Sequence, residues 1–481
     1  MSLGNDNTTG KGSPSEKPEA SKATLDGGEA PPPEADPSPP EDRQNQDGDA
    51  PESATPGLNR REFLRRAGMG AGAMAVGPSL AGTLSACERL PSLGTSARVV
   101  VVGAGTFGGW TAYRLQQMGA QVTLVDLYGP GNSRSSSGDE TRGIRATYRD
   151  RELWVDWANQ AIRRWEEIDA EWEERFGRRV YFTTGDLIFR PEREATIDEN
   201  QETFERKGIP YEILDMAEVE YRWPQIRPEG MDIAFYEPNA GVAKSRLICE
   251  FVAEAFRQEG GEIRIGRATP GQSGNGRLRD VQIEPGDPLS ADTFVFALGP
   301  WLPTAFPDVI GDRMAIPMGH VYYFGTPPGD DRYAHPNLPS YGFPGITGWP
   351  SLPPNHRGFR IRTGGRSQPD PDTSERWIPG EYLDSVRNVL RDHFPDLAEQ
   401  PLVESRACHY ESSQSGEWII DRHPEWENVW FAGAGNAEGF KFGPLYGDYI
   451  AARILGDDPF PELADRFRIP ELDDTADSED D

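Results

Sequence analysis

The stretch that most constrains the fold is "RVVVVGAGTFGGWTAYRLQQMGAQVTLVD", which begins at Arg98. A Val-rich run leads into glycines at positions 103, 105 and 108, a helical pattern, a second apolar run and Asp126. Gly103 allows a tight turn, Gly105 lets the backbone approach a pyrophosphate, and Gly108 lets helix pack on strand. The helix N-terminus attracts the pyrophosphate and Asp126 can accept hydrogen bonds from ribose hydroxyls. The order predicts an α/β, Rossmann-like GxGxxG domain that binds a dinucleotide.

Charge and cysteine content exclude several other classes. The 481 residues carry a formal net charge of -30, which disfavours binding to nucleic acid or to an anionic membrane surface. The three cysteines, Cys87, Cys249 and Cys408, form no disulfide framework and have no Cys/His metal spacing, so no metal site is expected. The length suggests two domains or one large two-lobed unit.

The N-terminal region is expected to be a leader and an export signal. Residues 1–58 are rich in Pro, Glu, Asp, Ser and Gly, which predicts a disordered acidic leader. Residues 59–87 hold the pair Arg60-Arg61 and a weakly apolar Gly/Ala stretch that is too poor in large residues for a transmembrane helix. This segment resembles a twin-arginine signal, and its Leu-Ser-Ala-Cys87 end resembles a lipobox. The alternative is a basic patch followed by a flexible linker.

We therefore expect the twin-arginine export machinery as a partner, with the mature protein periplasmic or anchored to a membrane only through a lipid on Cys87. At the other end of the chain, residues 464–481 are expected to form an acidic tail.

Four further stretches carry a family resemblance. They are "SSSGDETRGIRATY", "YEPNAGVAKS", "ADTFVFALGPW" and "GEWIIDRHPEWENVWFAGAGNAEGFKFGP". With the glycine motif they resemble the FAD-dependent amine and amino-acid oxidases of the DAO type, as typified by monomeric sarcosine oxidase. The resemblance extends from residue 97 to about residue 463.

The resemblance implies an FAD-binding domain assembled from segments 97–175, 240–305 and 405–463. Segments 176–239 and 306–404 would form an inserted α+β substrate domain on a mainly antiparallel sheet. The sequence agrees in part, because "RLICEFVAEAFRQEGGEIRIG" has the pattern of an amphipathic helix followed by a strand. Cys249 lies within that helix beside apolar residues and is expected to be a packing residue.

The same resemblance implies residue roles. Arg142 would lie against the flavin, Arg145 would bind a substrate carboxylate through a two-pronged contact, and Lys441 would contact the same carboxylate. The alternatives are surface ion pairs for the arginines and a solvated loop position for the lysine. The residues expected to bind FAD are Gly103, Gly105, Thr106, Phe107, Gly108, Asp126, Ser136, Ser137, Thr141, Arg142, Cys408, Gly435, Gly439, Phe440 and Lys441.

Tyr341, Phe343 and Tyr410 match aromatic residues that line the substrate pocket, and core packing is their alternative. Arg360 occupies the position of a lysine that promotes oxygen reduction, so it keeps the charge but changes its geometry. The family's active-site histidine would fall at Gly364, which leaves the substrate open.

Cys408, in "RACHYE", matches a cysteine that forms a thioether to the flavin 8α-methyl carbon. Nearby Arg406 and His409 could favour its thiolate. Its alternative is a small buried residue of a core strand, with FAD bound non-covalently.

The implied reaction is hydride transfer to FAD from the carbon next to the nitrogen of a small amine or amino acid, with oxygen or another electron acceptor taking the electrons. An NAD-dependent dehydrogenase would share the first motif but has no use for the C-terminal block. A non-catalytic exported lipoprotein on the same fold would lose the two arginines and Lys441, which are present.

Overall fold

The computed structural model describes residues 97–365 and 370–472. The expected leader, the export signal with Cys87 and the end of the acidic tail lie outside these residues. Among the described residues, no helix combines the length and apolar character needed to cross a bilayer.

A six-stranded sheet contains the glycine motif. The four contacts between its last five strands are parallel, and the first strand pairs antiparallel to the second. In spatial order the strands are Ile419–Arg422, Val429–Gly433, Thr293–Phe296, Arg98–Val102, Gln121–Asp126 and Glu262–Ile265. Val99 to Val102 are buried, as expected for a parallel strand covered on both faces.

The second large sheet has eight strands. Its contacts are antiparallel except for one parallel pair, Ser340–Phe343 with Asp186–Arg190. In spatial order its strands are Leu402–His409, Met318–Phe324, Phe359–Gly364, Ile346–Trp349, Ser340–Phe343, Asp186–Arg190, Ile233–Glu237 and Glu212–Leu214.

Shorter strands and the helices complete the described part. A three-stranded sheet joins Arg142–Ile144, Gly241–Ala243 and Tyr181–Thr183. The other short strands are Arg267–Pro270, Ser273–Gly274, Arg277–Leu278, Asp280–Glu284, Leu289–Ser290, Met314–Ala315 and Ser412–Ser413. The α-helices are Thr106–Gln117, Glu152–Phe176, Ala195–Lys207, Met216–Arg222, Ser245–Gln258, Leu302–Ala305, Gly380–His393, Gly443–Ile454 and Pro461–Arg466.

The expected fold class is confirmed: a Rossmann-like α/β sheet is accompanied by a mainly antiparallel sheet with its own helices. The strands of the parallel sheet come from the three segments expected to form the FAD-binding domain. The strand Leu402–His409 belongs to the antiparallel sheet and crosses residue 405, where the sequence suggested a boundary. At the C-terminus, Phe467 is fully buried and stacks on Trp418, so residues 464–472 include part of the core.

A tryptophan-rich core surrounds the long helix Glu152–Phe176. Trp154, Trp157 and Trp165 recur at helical spacing and are buried, which places them on one face of the helix. Trp165 donates from Nε1 to the backbone oxygen of Lys441 at 2.7 Å. The core therefore fixes the backbone that carries Lys441.

The glycine loop gives a matched pair of tests. A Cβ on Gly108 would lie 1.9 Å from the backbone oxygen of Gly103, whereas on Gly109 its nearest neighbour would be Val252 Cγ1 at 3.5 Å. We expect Gly108→Ala to lose bound flavin and to lower the free energy of unfolding by about 1–3 kcal/mol through overpacking. Gly109→Ala should keep the flavin and change stability by less than about 1 kcal/mol. Flavin absorbance per protein and urea unfolding measure both effects, and equal behaviour of the two variants would contradict the packing argument.

Candidate functional site: a dinucleotide loop continuous with a charged pocket

One cavity of about 610 Å³ runs from the glycine loop to a group of buried charged side chains. It collects residues from distant parts of the chain, and of the predicted site residues Gly108, Thr141 and Phe343 do not line it. The predicted residues that line it are Gly103, Gly105, Thr106, Phe107, Asp126, Ser136, Ser137, Arg142, Arg145, Tyr341, Arg360, Cys408, Tyr410, Gly435, Gly439, Phe440 and Lys441.

The nucleotide end is built by the turn after the first strand. Gly103 has φ of +105°, a conformation that favours glycine, and a Cβ there would lie 2.2 Å from Ala297 O. The helix Thr106–Gln117 then begins at the cavity wall, and Thr106 N donates to Ser137 Oγ at 3.1 Å. Asp126 accepts Ala104 N at 2.7 Å through Oδ2. Burial raises the pKa of Asp126, and the hydrogen bonds from the backbone N–H groups of Ala104, Tyr128 and Gly129 oppose this increase.

The middle of the cavity is organised by Asp139, a buried carboxylate. It accepts Arg142 Nη1 at 2.9 Å, Arg360 Nη2 at 3.0 Å and Tyr323 OH at 3.1 Å. Burial alone would raise the pKa of Asp139, but the guanidinium groups of Arg360, Arg142 and Arg406 lower it well below its ordinary value. Asp139 is therefore charged and holds Arg142 and Arg360 in fixed positions.

Arg360 retains hydrogen-bonding capacity that the surrounding residues do not use. Its guanidinium carbon lies 3.8 Å from the ring centroid of Trp349, and the side chain is 2% exposed. Its Nε and Nη1 atoms have no hydrogen-bond acceptor among the described residues. Buried donors without a partner are costly, so this part of the cavity is suited to a ligand that accepts hydrogen bonds.

The opposite end of the cavity carries Arg145 and Lys441. Lys441 Nζ donates to Tyr148 OH and lies 3.6 Å from Glu438 Oε2. Burial lowers the pKa of Lys441, whereas the carboxylate of Glu438 raises it. Burial would raise the pKa of Glu438, but Lys441 and Arg145 bring it below its usual value.

Two further buried acids adjoin this end. Glu237 accepts the backbone N–H of Ala146 at 2.9 Å, and its pKa is raised to about 8, chiefly by burial, with a further increase from Asp186. Glu237 is thus largely protonated at neutral pH. Asp186 pairs with Glu237 across neighbouring strands and lies 3.8 Å from Arg145 Nη1. Burial raises the pKa of Asp186, while Arg145 and Lys441 lower it.

The aromatic residues predicted from the sequence divide into two groups. Tyr341 and Tyr410 line the cavity, and Tyr341 OH donates to Arg360 O at 2.8 Å. The prediction for Phe343 is wrong, because Phe343 does not line the cavity and stacks on Phe189 at 4.2 Å in the core of the antiparallel sheet. Tyr341 and Phe343 are two positions apart and share one strand face, and the Tyr341 ring packs in the same core, but only Tyr341 of these two also lines the cavity.

Gly364 and Thr141 are close to the cavity without lining it. Gly364 is exposed at the end of its strand, and Thr141 Oγ1 accepts Trp349 Nε1 at 2.8 Å. Thr141 therefore helps to hold the indole on which Arg360 stacks.

Cys408 lies at the cavity wall on the strand Leu402–His409 and is 8% exposed. Its Sγ lies 3.9 Å from Ser136 O. The neighbouring Arg406 donates to Gly138 O at 2.9 Å and Ser133 O at 2.7 Å, which ties this strand to the loop that precedes Arg142.

The charged residues of the cavity that the sequence analysis missed include Asp139, Asp186, Arg362 and Glu438. Arg362 follows Arg360 by two positions and so lies on the same strand face, with its guanidinium carbon 5.3 Å from the Tyr410 ring centroid. Asp186 is a charge at the start of the apolar strand "DLIFR", and Glu438 stands within the "GAGNAEGF" stretch. Strand alternation could have found Arg362, but nothing in the sequence places Asp186 beside Arg145.

No group of three or more His, Cys, Asp or Glu side chains within the described ranges is arranged to hold a metal ion.

Residues 98–453 match the family described as DAO: FAD dependent oxidoreductase. This match spans most of the sequence, and the chain belongs to this family. The cavity residues fit FAD, since a glycine turn and helix N-terminus adjoin Asp126 at one end and unpaired buried donors of Arg360 lie further along.

Individual relatives match a similar share of the chain. The chain is 27% identical over 378 residues to monomeric sarcosine oxidase of Bacillus sp. (strain B-0618), covering 74% of this chain and 92% of the relative. It is 25% identical over 378 residues to N-methyl-L-tryptophan oxidase of Yersinia pestis (strain Pestoides F), covering 76% and 96%. The solved glycine oxidase of Bacillus cereus ATCC 14579 superposes with a TM-score of 0.65 at 17% identity, covering 78% of this chain and 99% of that one. The last likeness shows the shared fold.

Proposed function

We propose that this FAD-dependent oxidoreductase oxidises the C–N bond of a secondary amine or amino acid that carries a carboxylate. The observation that carries the proposal is the pair Arg145 and Lys441 in the wall of the same cavity as the glycine loop. A buried lysine and a partly buried arginine can bind a carboxylate through charge-assisted hydrogen bonds, and the guanidinium group offers a two-pronged contact. The relatives named as oxidases of sarcosine and of N-methyl-L-tryptophan support an N-alkylated amino acid.

The protein residues bind and orient the substrate in this scheme. Bound FAD would supply the hydride acceptor, and water hydrolyses the imine that leaves. Arg145 and Lys441 fix the carboxylate, so that the carbon next to nitrogen is held in one orientation. The rings of Tyr341 and Tyr410 form an apolar part of the wall of the same cavity. Oxygen or another acceptor removes the electrons.

Removal of either cation should weaken amino-acid turnover. We expect Arg145→Met and Lys441→Met each to lower kcat/KM for N-methyl amino acids roughly 30-fold, which corresponds to a loss of about 2 kcal/mol of transition-state stabilisation. Arg164→Met is a matched control, because Arg164 pairs with Glu167 on the surface. Steady-state assays with N-methyl amino acids and the corresponding amines lacking the carboxylate, with oxygen and dye acceptors, measure the effect. Equal turnover of the two substrate sets by the unaltered protein would refute the carboxylate site.

We further propose that Cys408 holds FAD covalently. Its support is the position of the thiol at the cavity wall and the resemblance of "RACHYE" to the attachment sequence. The thioether would replace the S–H bond of Cys408 and one C–H bond of the flavin methyl group, and the two electrons released leave with the same acceptor as in turnover.

The attachment has a readout independent of activity. After acid precipitation and washing, the unaltered protein should stay yellow, whereas Cys408→Ala should release its FAD into the supernatant. Cys249→Ala is the control, since Cys249 is a buried core residue. Release of flavin from the unaltered protein would show that the bond is absent and would leave the fold and the amine chemistry standing.

The location of the protein is also a proposal. Arg60-Arg61 and the Leu-Ser-Ala-Cys87 sequence support export by the twin-arginine machinery and a lipid anchor on Cys87. Replacing both arginines by lysine should leave the protein in the cytoplasmic fraction, and Cys87→Ser should move the exported protein from membrane to soluble fraction. Export that persists without the arginine pair would contradict the twin-arginine route.

A further inference from the structure

Asp186 is a buried carboxylate at the substrate end of the cavity, and the proposed function gives it no role. It begins the strand Asp186–Arg190, with Ser340 and Glu237 as its partners on the two neighbouring strands. The residue is 5% exposed and lines the cavity with Arg145 and Lys441. Because strands flank it on both sides, its backbone position is fixed.

The Oδ2 atom of Asp186 accepts no hydrogen bond from any residue in the described part of the chain. Its ion-pair partner is Arg145, whose Nη1 is 3.8 Å away, beyond hydrogen-bond length. A buried carboxylate oxygen without a donor is destabilising, so the fold keeps this group at a cost.

Two other buried acids in the described part of the chain are satisfied by the chain itself. Asp169 accepts the backbone N–H groups of Val180 at 2.6 Å and Tyr181 at 2.9 Å. Glu237 accepts that of Ala146 through both oxygens, at 2.9 Å and 3.0 Å. Backbone donors thus satisfy Asp169 and Glu237, which indicates a structural role for both, whereas Asp186 Oδ2 can still accept a hydrogen bond from a ligand.

We propose that Asp186 binds the ammonium group of the substrate, so that the pocket takes amino acids as zwitterions. This inference rests on the proposed function, which puts the substrate carboxylate on Arg145 and Lys441. In an α-amino acid the nitrogen lies roughly 3 Å from the carboxylate oxygens, because only two carbon atoms separate them. A carboxylate held by Arg145 therefore brings the nitrogen within reach of Asp186.

The charges at this end of the cavity agree with a zwitterion. The cations Arg145 and Lys441 face the carboxylates of Glu438 and Asp186. A ligand with a carboxylate alone adds an unbalanced negative charge beside Asp186, whereas a zwitterion brings its own cation. The Glu438 side chain is 39% exposed and can be hydrated, so Asp186 is the buried acid whose capacity is unused.

Two isosteric ligands test the proposal directly. 2-Aminoisobutyrate and 2,2-dimethylpropanoate differ by an ammonium in place of a methyl group, and neither has a hydrogen on the carbon next to the carboxylate. Neither can therefore transfer a hydride from that carbon. Their dissociation constants are measured on the flavin-loaded protein by titration of the flavin absorbance.

We expect Asp186→Asn to weaken binding of 2-aminoisobutyrate at least tenfold and to leave 2,2-dimethylpropanoate binding unchanged or tighter. Asp186→Glu should retain part of the preference for the ammonium ligand. Because Asp186 Oδ2 accepts no hydrogen bond from the described residues, its replacement should not lower Tm, whereas a structural ion pair with Arg145 predicts a lower Tm and equal weakening of both ligands.

The outcomes separate this inference from the proposed function. Unaltered protein that binds neither ligand contradicts the carboxylate site, and the inference falls with it. Unaltered protein that binds 2,2-dimethylpropanoate, with Asp186→Asn affecting both ligands equally, overturns the role of Asp186 alone. Selective loss of 2-aminoisobutyrate in Glu438→Gln instead of Asp186→Asn would assign the ammonium to Glu438 and overturn the proposal.

Discussion

The buried carboxylate of Asp139 is the interaction on which the site depends. Arg142 donates a hydrogen bond to it from the short strand Arg142–Ile144, and Arg360 and Tyr323 donate to it from two strands of the eight-stranded sheet. Arg406 of a third strand lies 3.9 Å away. Loss of one member of such a buried cluster leaves charge uncompensated, which is far more costly than loss of a surface ion pair. Asp139 therefore holds two sheets at a fixed separation, and the cavity lies along that junction.

Burial determines the chemistry of the substrate end in the same way. Lys441 and Asp186 are buried, and Arg145 and Glu438 are partly buried, so the charge of each group depends on its neighbours. Glu237 adds little charge to this group, because burial raises its pKa to about 8 and keeps it largely protonated at neutral pH. Hydrophobic packing supports the arrangement, since the tryptophan-rich helix donates from Trp165 to the backbone of Lys441. A rigid core thus holds a balanced set of charges in a shape that a small ion can enter.

Family membership leaves room for a distinct substrate. The chain covers most of the length of the sarcosine and N-methyl-L-tryptophan oxidases to which it is similar, yet about three quarters of the aligned residues differ. Arg360 shares its charge with Asp139 and stacks on Trp349. A guanidinium bound in this way offers a ligand less free charge than an unpaired ammonium would give.

The sequence by itself determined the glycine loop, the Rossmann-like sheet and a set of site residues most of which line the cavity. These features depend on local order: a strand, a turn that only glycine permits and a helix follow one another directly, and the motifs carry their own residues. Strand alternation in "FRIRTG" would also have given Arg362, which shares a strand face with Arg360. Only the tertiary structure decided which charges meet. Asp139 is separated from Arg360 by 221 positions, and Asp186 meets Arg145 across two different sheets. The hydrogen bonds, burial and pKa values of these groups come from long-range packing, which no local pattern of residues encodes.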